Sequence, residues 1–169
     1  MKKFNEIIKE AEAANSNPIV IELKNALMEE LNAWYGYIIV REFLVGLERH
    51  EIAEFYEETA KDELEDHAYW LMERISQLGG TIEDITLSPS TWENAKHKYI
   101  EPVWKGGGIP VQESLEINIE NEKGAIQTYE KIVTMTEDID PVTNSKAKEI
   151  LADETKHLQE LEDFLNDIK

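Results

Sequence analysis

Cysteine is absent from the 169 residues, which rules out disulfides, thiolate metal sites and cysteine nucleophiles together. Any bound metal must therefore be held by oxygen and nitrogen. No stretch is long and apolar enough to span a bilayer, and the basic start, Met1-Lys2-Lys3, is followed by no apolar run. The expectation is a soluble, cytoplasmic protein with no membrane partner. Positive charge is scarce, with 17 Lys and Arg against 36 Asp and Glu and a formal net charge of −19. Nucleic acid and anionic lipid are poor partners for such a chain, because phosphate binding needs clustered cations. Only four histidines are present, so where they fall carries information.

What is present is helical spacing. The length suits one domain, taken as residues 1–169, with an N-terminal arm over 1–18 and a bundle over 19–169. Residues 2–14 read as a short, frayed amphipathic helix closed by Asn15-Ser16-Asn17-Pro18. Helix A follows from about Ile19 to Leu47, its stripe formed by Val20, Leu23, Leu27, Ala33, Trp34, Ile38, Leu44 and Leu47. Helix B runs from about Ile52 to Leu78 on Ala60, Leu64, Ala68, Leu71, Ile75 and Leu78, and Gly79-Gly80 stops it. Between 81 and 110 the rhythm breaks. Ser88-Pro89-Ser90-Thr91 reads as a turn or cap, a short helix extends to Tyr99, and Pro102, Gly106-Gly107-Gly108 and Pro110 follow. That glycine run lacks both a preceding strand and a Gly-Lys-Ser/Thr ending, so it does not support a phosphate cradle. Helix C runs from about Gln112 to Thr136, and helix D from about Pro141 to Ile168, with Asp140 as N-cap and Pro141 at the first helical position. Two antiparallel hairpins joined by one long crossover make an all-α four-helix bundle, with a short N-terminal helix and no fifth helix.

The inner seams of these helices contain the wrong chemistry for a core. Helix D reads Ala147, Ile150, Glu154, His157, Leu161, Phe164, Ile168 at steps of three and four. Glu30, Glu63, Glu122 and Glu154 fall on such seams, as do His67 and His157. Unpaired buried carboxylates are costly, and four converging ones repel each other. Two divalent ions carry the four positive charges that offset them, and neutral imidazoles complete the coordination. Helices A and C echo each other: Glu30, Ala33 and Tyr37 match Glu122, Ala125 and Tyr129 in spacing. Each hairpin then has the order Glu, Tyr, Glu, His, which points to a pseudo-twofold dinuclear site.

Residues three or four apart project from nearly the same helix face, so Glu154 and His157 can offer a carboxylate and an imidazole to one ion. One Glu from each of two helices plus Glu-x-x-His from each of the others is the donor set of di-iron bundles. Helix B departs from it, because Leu64 stands three before His67 and the acid at usable spacing is Glu63, four before. Glu65 and Asp66 point elsewhere by helical phase. His50, beside Arg49, reads as a capping charge at the end of helix A, and His97, between Lys96 and Lys98, as exposed. Tyr37 and Tyr129 face the core, with their hydroxyls within reach of the glutamates. Trp34 reads as core filling close to the site.

On these motifs, over residues 19–168, the chain resembles the ferritin superfamily, and the stretch 62–80 is similar to Dps-like proteins with a bacterioferritin-type site in each subunit. The resemblance implies Glu30 and Glu122 as terminal ligands, Glu63 and Glu154 as bridges, and His67 and His157 each on one ion. It also implies a homo-oligomer: with no fifth helix after helix D, a dodecamer or a smaller assembly. Glu65 stands where a haem-ligating methionine would be, so no haem is expected. The cysteine knuckle of a complete rubrerythrin is missing, as is the basic tail of DNA-binding Dps proteins, for which Lys2, Lys3 and Lys9 are a poor substitute.

The functional expectation is a ferroxidase for iron storage or detoxification. It binds two iron ions per subunit, manganese being the other metal that the donor set suits, and oxidises Fe(II) with dioxygen or hydrogen peroxide. The rival expectations are a rubrerythrin-like peroxide reductase or manganese protein without storage, and a non-catalytic helical interaction protein.

Overall fold

The computed structural model describes residues 4–82, 85 and 107–168. The turn at Ser88-Pro89-Ser90-Thr91, the short helix to Tyr99, Pro102, Gly106 and the exposure of His97 lie outside the described residues. Helix α1 spans Phe4–Asn15 and α2 spans Pro18–Phe43. Next come α3, Arg49–Lys61, a π-helical stretch, Asp62–Ala68, and α4, Tyr69–Gln77, which run on as one helix. Helix α5 spans Val111–Thr136 and α6 spans Pro141–Asp167.

The expectation of a bundle with no fifth helix is corrected. Among the described residues the chain is all-helical apart from one two-residue strand pair, and it has five helices, counting α3 to α4 as one, with the additional one at the N-terminus. Helix α1 is a full element because its end is tied down rather than frayed. Asn15 donates to Thr81 Oγ1 at 3.0 Å and accepts from the Thr81 backbone N–H at 2.9 Å. That two-way bond holds α1 to the segment after α4. Gly79, at φ +81°, makes the turn, and a Cβ there would sit 3.4 Å from the Ala14 methyl.

Helix A ends earlier than its periodicity predicts. Leu44–Val45 leaves the helix as strand β1 and pairs in parallel with β2, Ile109–Pro110, where the chain returns from the crossover. Gly108 permits this approach, since a Cβ there would meet Val45 Cγ1 at 2.1 Å. Leu47, read as core, is 93% exposed, and Ile38 is also exposed. His50 consequently begins α3 instead of ending helix A, so its capping role at a helix C-terminus is withdrawn.

Two apolar clusters flank the middle of the bundle. One gathers Val40, Ile52, Tyr56, Leu115 and Leu161 at one end. The other gathers Val20, Leu27, Leu71, Ile132 and Ile150 at the opposite end. The polar residues of the seam lie between them, held by both halves of the core.

The start of α6 is capped as the sequence indicates. Asp140 accepts from the Thr143 N–H at 3.1 Å and the Thr143 hydroxyl at 2.6 Å, while Arg74 Nη2 donates to both carboxylate oxygens at 2.8 Å. Partial burial pushes the Asp140 carboxyl up, yet the Arg74 and Thr143 bonds outweigh it and bring it below the ordinary carboxylate range. Asp140→Ala is expected to lower stability by about 2 kcal/mol, read from the urea midpoint. A depressed carboxyl stabilises above its unfolded value of 3.8, and the contribution is lost as pH falls through the lower folded value. The difference between wild type and variant should therefore shrink in acid.

Candidate metal centre

All six seam residues meet in the middle of the bundle. Glu30 comes from α2, Glu63 and His67 from the π-helical stretch, Glu122 from α5, and Glu154 and His157 from α6. Each is at most 3% exposed. They form two groups that could each hold an ion: Glu30, Glu63, His67 and Glu154 in one, Glu63, Glu122, Glu154 and His157 in the other. Glu63 and Glu154 are common to both groups, whereas each remaining residue belongs to one. The imidazole rings are 6.3 Å apart, centre to centre.

Helix B shows how a four-residue spacing does the work of three. A π-helical hydrogen bond spans one residue more than an α-helical one, so the inserted residue is absorbed at Asp62–Ala68 and both flanks keep their faces inward. Glu63 and His67 are thus buried side by side, while Glu65 and Asp66 bulge out exposed. Sequence spacing shows the anomaly but does not say that the backbone absorbs it. Deletion of Glu65 is expected to restore a plain α-helix with the flanking registers unchanged. Helicity by circular dichroism and Co(II) binding should both survive, whereas in an uninterrupted α-helix the same deletion would turn one flank out of the core.

Hydrogen bonds cross between the halves. The Tyr37 hydroxyl of α2 donates to Glu122 of α5, and the Tyr129 hydroxyl of α5 donates to Glu30 of α2. His67 Nδ1 lies 3.0 Å from Glu154 Oε1, 3.1 Å from Glu63 Oε2 and 3.4 Å from Glu30 Oε2. His157 Nδ1 lies 3.6 Å from Glu63 Oε1 and 3.9 Å from Glu154 Oε2. Glu63 Oε1 and His157 Nδ1 are buried with no hydrogen-bond partner. The outer ring nitrogens each face an aspartate, His67 Nε2 toward Asp153 at 3.7 Å and His157 Nε2 toward Asp62 at 3.5 Å. These aspartates were not picked out by periodicity. The signal was there in a repeat, because Asp62-Glu63 and Asp153-Glu154 are the same dipeptide in helices B and D.

The electrostatics are those of an uncompensated site. Burial, then repulsion from Glu154, pushes the Glu63 carboxyl well above the ordinary range. Burial and the same neighbour do so for Glu122, and burial with Glu30 raises Glu154. Burial lowers the His67 imidazole, but the bonds to Glu154, Glu30 and Glu63 outweigh it and the ring holds its proton far above the usual value. Burial likewise opposes ionisation of Glu30, and the His67 bond overcomes it, bringing that carboxyl below its usual value. In the metal-free protein burial and mutual repulsion thus favour the protonated forms of Glu63, Glu122 and Glu154.

A cavity of about 240 Å³ leads to the glutamates between α2 and α5, past Asn32, Ala33, Asn121, Gly124 and Ala125. Gly124 and Asn121 are exposed, and nothing lies within 4 Å of where a Gly124 Cβ would be. Small side chains leave an opening from the surface to the donor set.

Comparison with known proteins agrees with the fold. The sequence profile of the ferritin-like domain matches residues 21–169. Over 167 residues, 98% of this chain and 86% of the relative, the sequence is 27% identical to the DNA protection during starvation protein of Pyrococcus furiosus. The bacterioferritin-related protein of Bacteroides fragilis, described as a dodecameric thioferritin, is 29% identical with a TM-score of 0.76, covering 97% of this chain and 94% of that one. A ferritin-like diiron-carboxylate protein of Bacillus anthracis is 28% identical with a TM-score of 0.71, over 87% and 94% of the two chains.

Proposed function

This chain belongs to the ferritin-like family, and from that premise we propose that it oxidises Fe(II) at a paired site built from Glu30, Glu63, His67, Glu122, Glu154 and His157. The observation that carries the reading is the pair of buried, unpartnered donors, Glu63 Oε1 and His157 Nδ1, in a nest of four glutamates. Such groups are stable only if something unites them, and two divalent ions match both the charge and the oxygen-nitrogen donor set. Iron supplies one electron from each ion. Two Fe(II) with dioxygen and two protons give two Fe(III) and hydrogen peroxide, or with hydrogen peroxide and two protons give two Fe(III) and two waters.

The protein's part follows from its residues. Glu63 and Glu154, shared by both groups, would fix the spacing of the two ions. Tyr37 and Tyr129 orient the glutamates that belong to one ion each, so those carboxylates do not swing to suit an ion of the wrong geometry. Protons held on Glu63, Glu122 and His67 must leave as iron enters, and the cavity between α2 and α5 gives both ions and protons a path. Iron storage or detoxification is the physiological role that this reaction would serve.

We also infer assembly with copies of itself, as described for the Bacteroides fragilis relative, with a dodecamer as the expected size. The outward side of α2 supports it: Ile21, Ile38 and Phe43 are exposed on a helix whose apolar residues are not confined to one face.

The test is aerobic Fe(II) titration of metal-free protein, following ferric absorbance together with particle mass by light scattering. Oxidation saturating near two irons per chain is the expected outcome, and continued uptake by a large particle would assign storage as well. Oxidation no faster than in buffer would overturn the reading.

A further inference from the structure

His67 turns its two ring nitrogens to two different surroundings. Nδ1 faces the carboxylates of Glu154, Glu63 and Glu30 at 3.0–3.4 Å. Nε2 faces away from them, buried and without a hydrogen-bond partner. The whole side chain is 0% exposed, so water does not satisfy that nitrogen. An imidazole nitrogen buried without a partner is available to ligate a cation.

Two acids converge on that nitrogen. Asp66, Asp153 and His67 Nε2 can offer oxygen, oxygen and nitrogen atoms that all lie within 4.8 Å of one another. Nε2 and Asp153 Oδ2 are 3.7 Å apart, too far for a hydrogen bond. It is a separation that two metal–ligand bonds of about 2.0–2.2 Å span comfortably.

We propose that Asp66, His67 Nε2 and Asp153 form a separate single-ion site for a divalent cation, which takes Fe(II) before the paired site is filled. The proposal deepens the iron-oxidation reading and rests on it for the identity of the cation. The separate site lies on the side of the π-helical stretch and α6, so it serves an approach distinct from the cavity between α2 and α5. A neutral imidazole can ligate through only one nitrogen at a time. An ion held on Nε2 therefore precedes one held on Nδ1 rather than accompanying it, and the outer site is a staging position.

The pseudo-twofold symmetry supplies an internal comparison. Asp62 faces His157 Nε2 as Asp153 faces His67 Nε2. The residue before His157, however, is Lys156, where Asp66 stands before His67. A lysine there removes a ligand and adds a repelling charge, so the donor set is complete at one end of the pair alone among the described residues. In the metal-free chain Lys146 occupies Asp66 at 2.9 Å, and it has a second acid, Glu149, at 3.5 Å. A dication can therefore displace Lys146 without leaving it unpaired.

The experiment uses Co(II) as a probe that does not turn over, by anaerobic equilibrium dialysis of the full chain in about 0.15 M salt, where loose association with surface acids is screened. In a Glu63→Gln/Glu154→Gln background, which removes both carboxylates common to the inner groups, one Co(II) per chain should remain. Adding Asp66→Asn/Asp153→Asn should weaken that ion at least about tenfold, and His67→Ala should do the same. Both aspartates are about half exposed, so their amides leave the fold intact. No ion in the background, or an ion indifferent to the aspartates, overturns the proposal. The iron-oxidation reading fails separately, if wild type binds no ions beyond those that survive in the background. With the inner pair native, Asp66→Asn/Asp153→Asn should slow the initial Fe(II) oxidation at low iron while the final two per chain are unchanged. Equal initial rates at every iron concentration would remove the staging role.

Discussion

Glu154→Ala is expected to lower Fe(II) oxidation by more than about a hundredfold, to the rate of protein-free buffer, while far-ultraviolet circular dichroism keeps its helical amplitude. Loss of an outer partner of a metal ligand already costs about 10–100-fold, and Glu154 belongs to both groups that could hold an ion. One substitution would therefore remove a donor from each. Retained helicity is expected because the two apolar clusters on either side of the site are untouched. Glu63→Ala should behave like Glu154→Ala, and Glu65→Ala, at an exposed position, should leave the rate unchanged. The reverse result, loss with Glu65 and not with Glu63, would show that helix B presents a different face.

The second large effect is on stability, and its sign depends on the ion. Redox-silent Zn(II) at about a hundred times its dissociation constant should stabilise the fold by about 2.7 kcal/mol. For a chain of this size that is roughly 5–10 °C in melting temperature. Glu63→Gln should do the opposite to each state: it removes a buried carboxyl whose ionisation burial and its neighbours oppose and so raises the melting temperature of the metal-free protein, and it abolishes most of the gain from Zn(II). The pH dependence follows from the raised carboxyls. Glu63, Glu122 and Glu154 hold protons in the folded chain above the ordinary value of 4.5, where the unfolded chain has released them. Metal-free stability accordingly falls as pH rises from that value through the raised folded ones, and the His67 contribution, full below 6.5, declines in the same direction above it. Zn(II) replaces those protons, so its affinity should rise with pH and its binding should acidify a weakly buffered solution. A melting temperature indifferent to Zn(II) would count against a buried paired site.

Why so much of the site could be read from the sequence is a matter of period. Glu154 and His157 interrupt a stripe that is otherwise apolar, and the geometry of an α-helix turns such an interruption into a position. Glu30 and Glu122 were legible for the same reason, aided by the tyrosine seven residues on. The π-helical stretch was not, since one extra residue between Glu63 and His67 shifts the phase, and only the packing of both flanks shows that the backbone takes up the shift. The periodicity carries helix A four residues beyond Phe43, because Leu44 keeps the stripe while the strand pair with Ile109 takes the backbone elsewhere. The fifth helix was underrated because its anchor, Asn15 to Thr81, is a long-range polar contact that no local pattern announces. The aspartates facing the outer ring nitrogens sit on the flanks of their helices, where half-exposed acids are ordinary in so acidic a chain.

The crossed tyrosine bonds tie two motions into one. Because α2 holds the α5 glutamate through Tyr37, and α5 holds the α2 glutamate through Tyr129, sliding one helix along the other drags both carboxylates at once, in opposite senses. Neither half of the bundle could then adjust to a bound ion without the other. The pair of helices would act as a calliper on whatever the four glutamates hold.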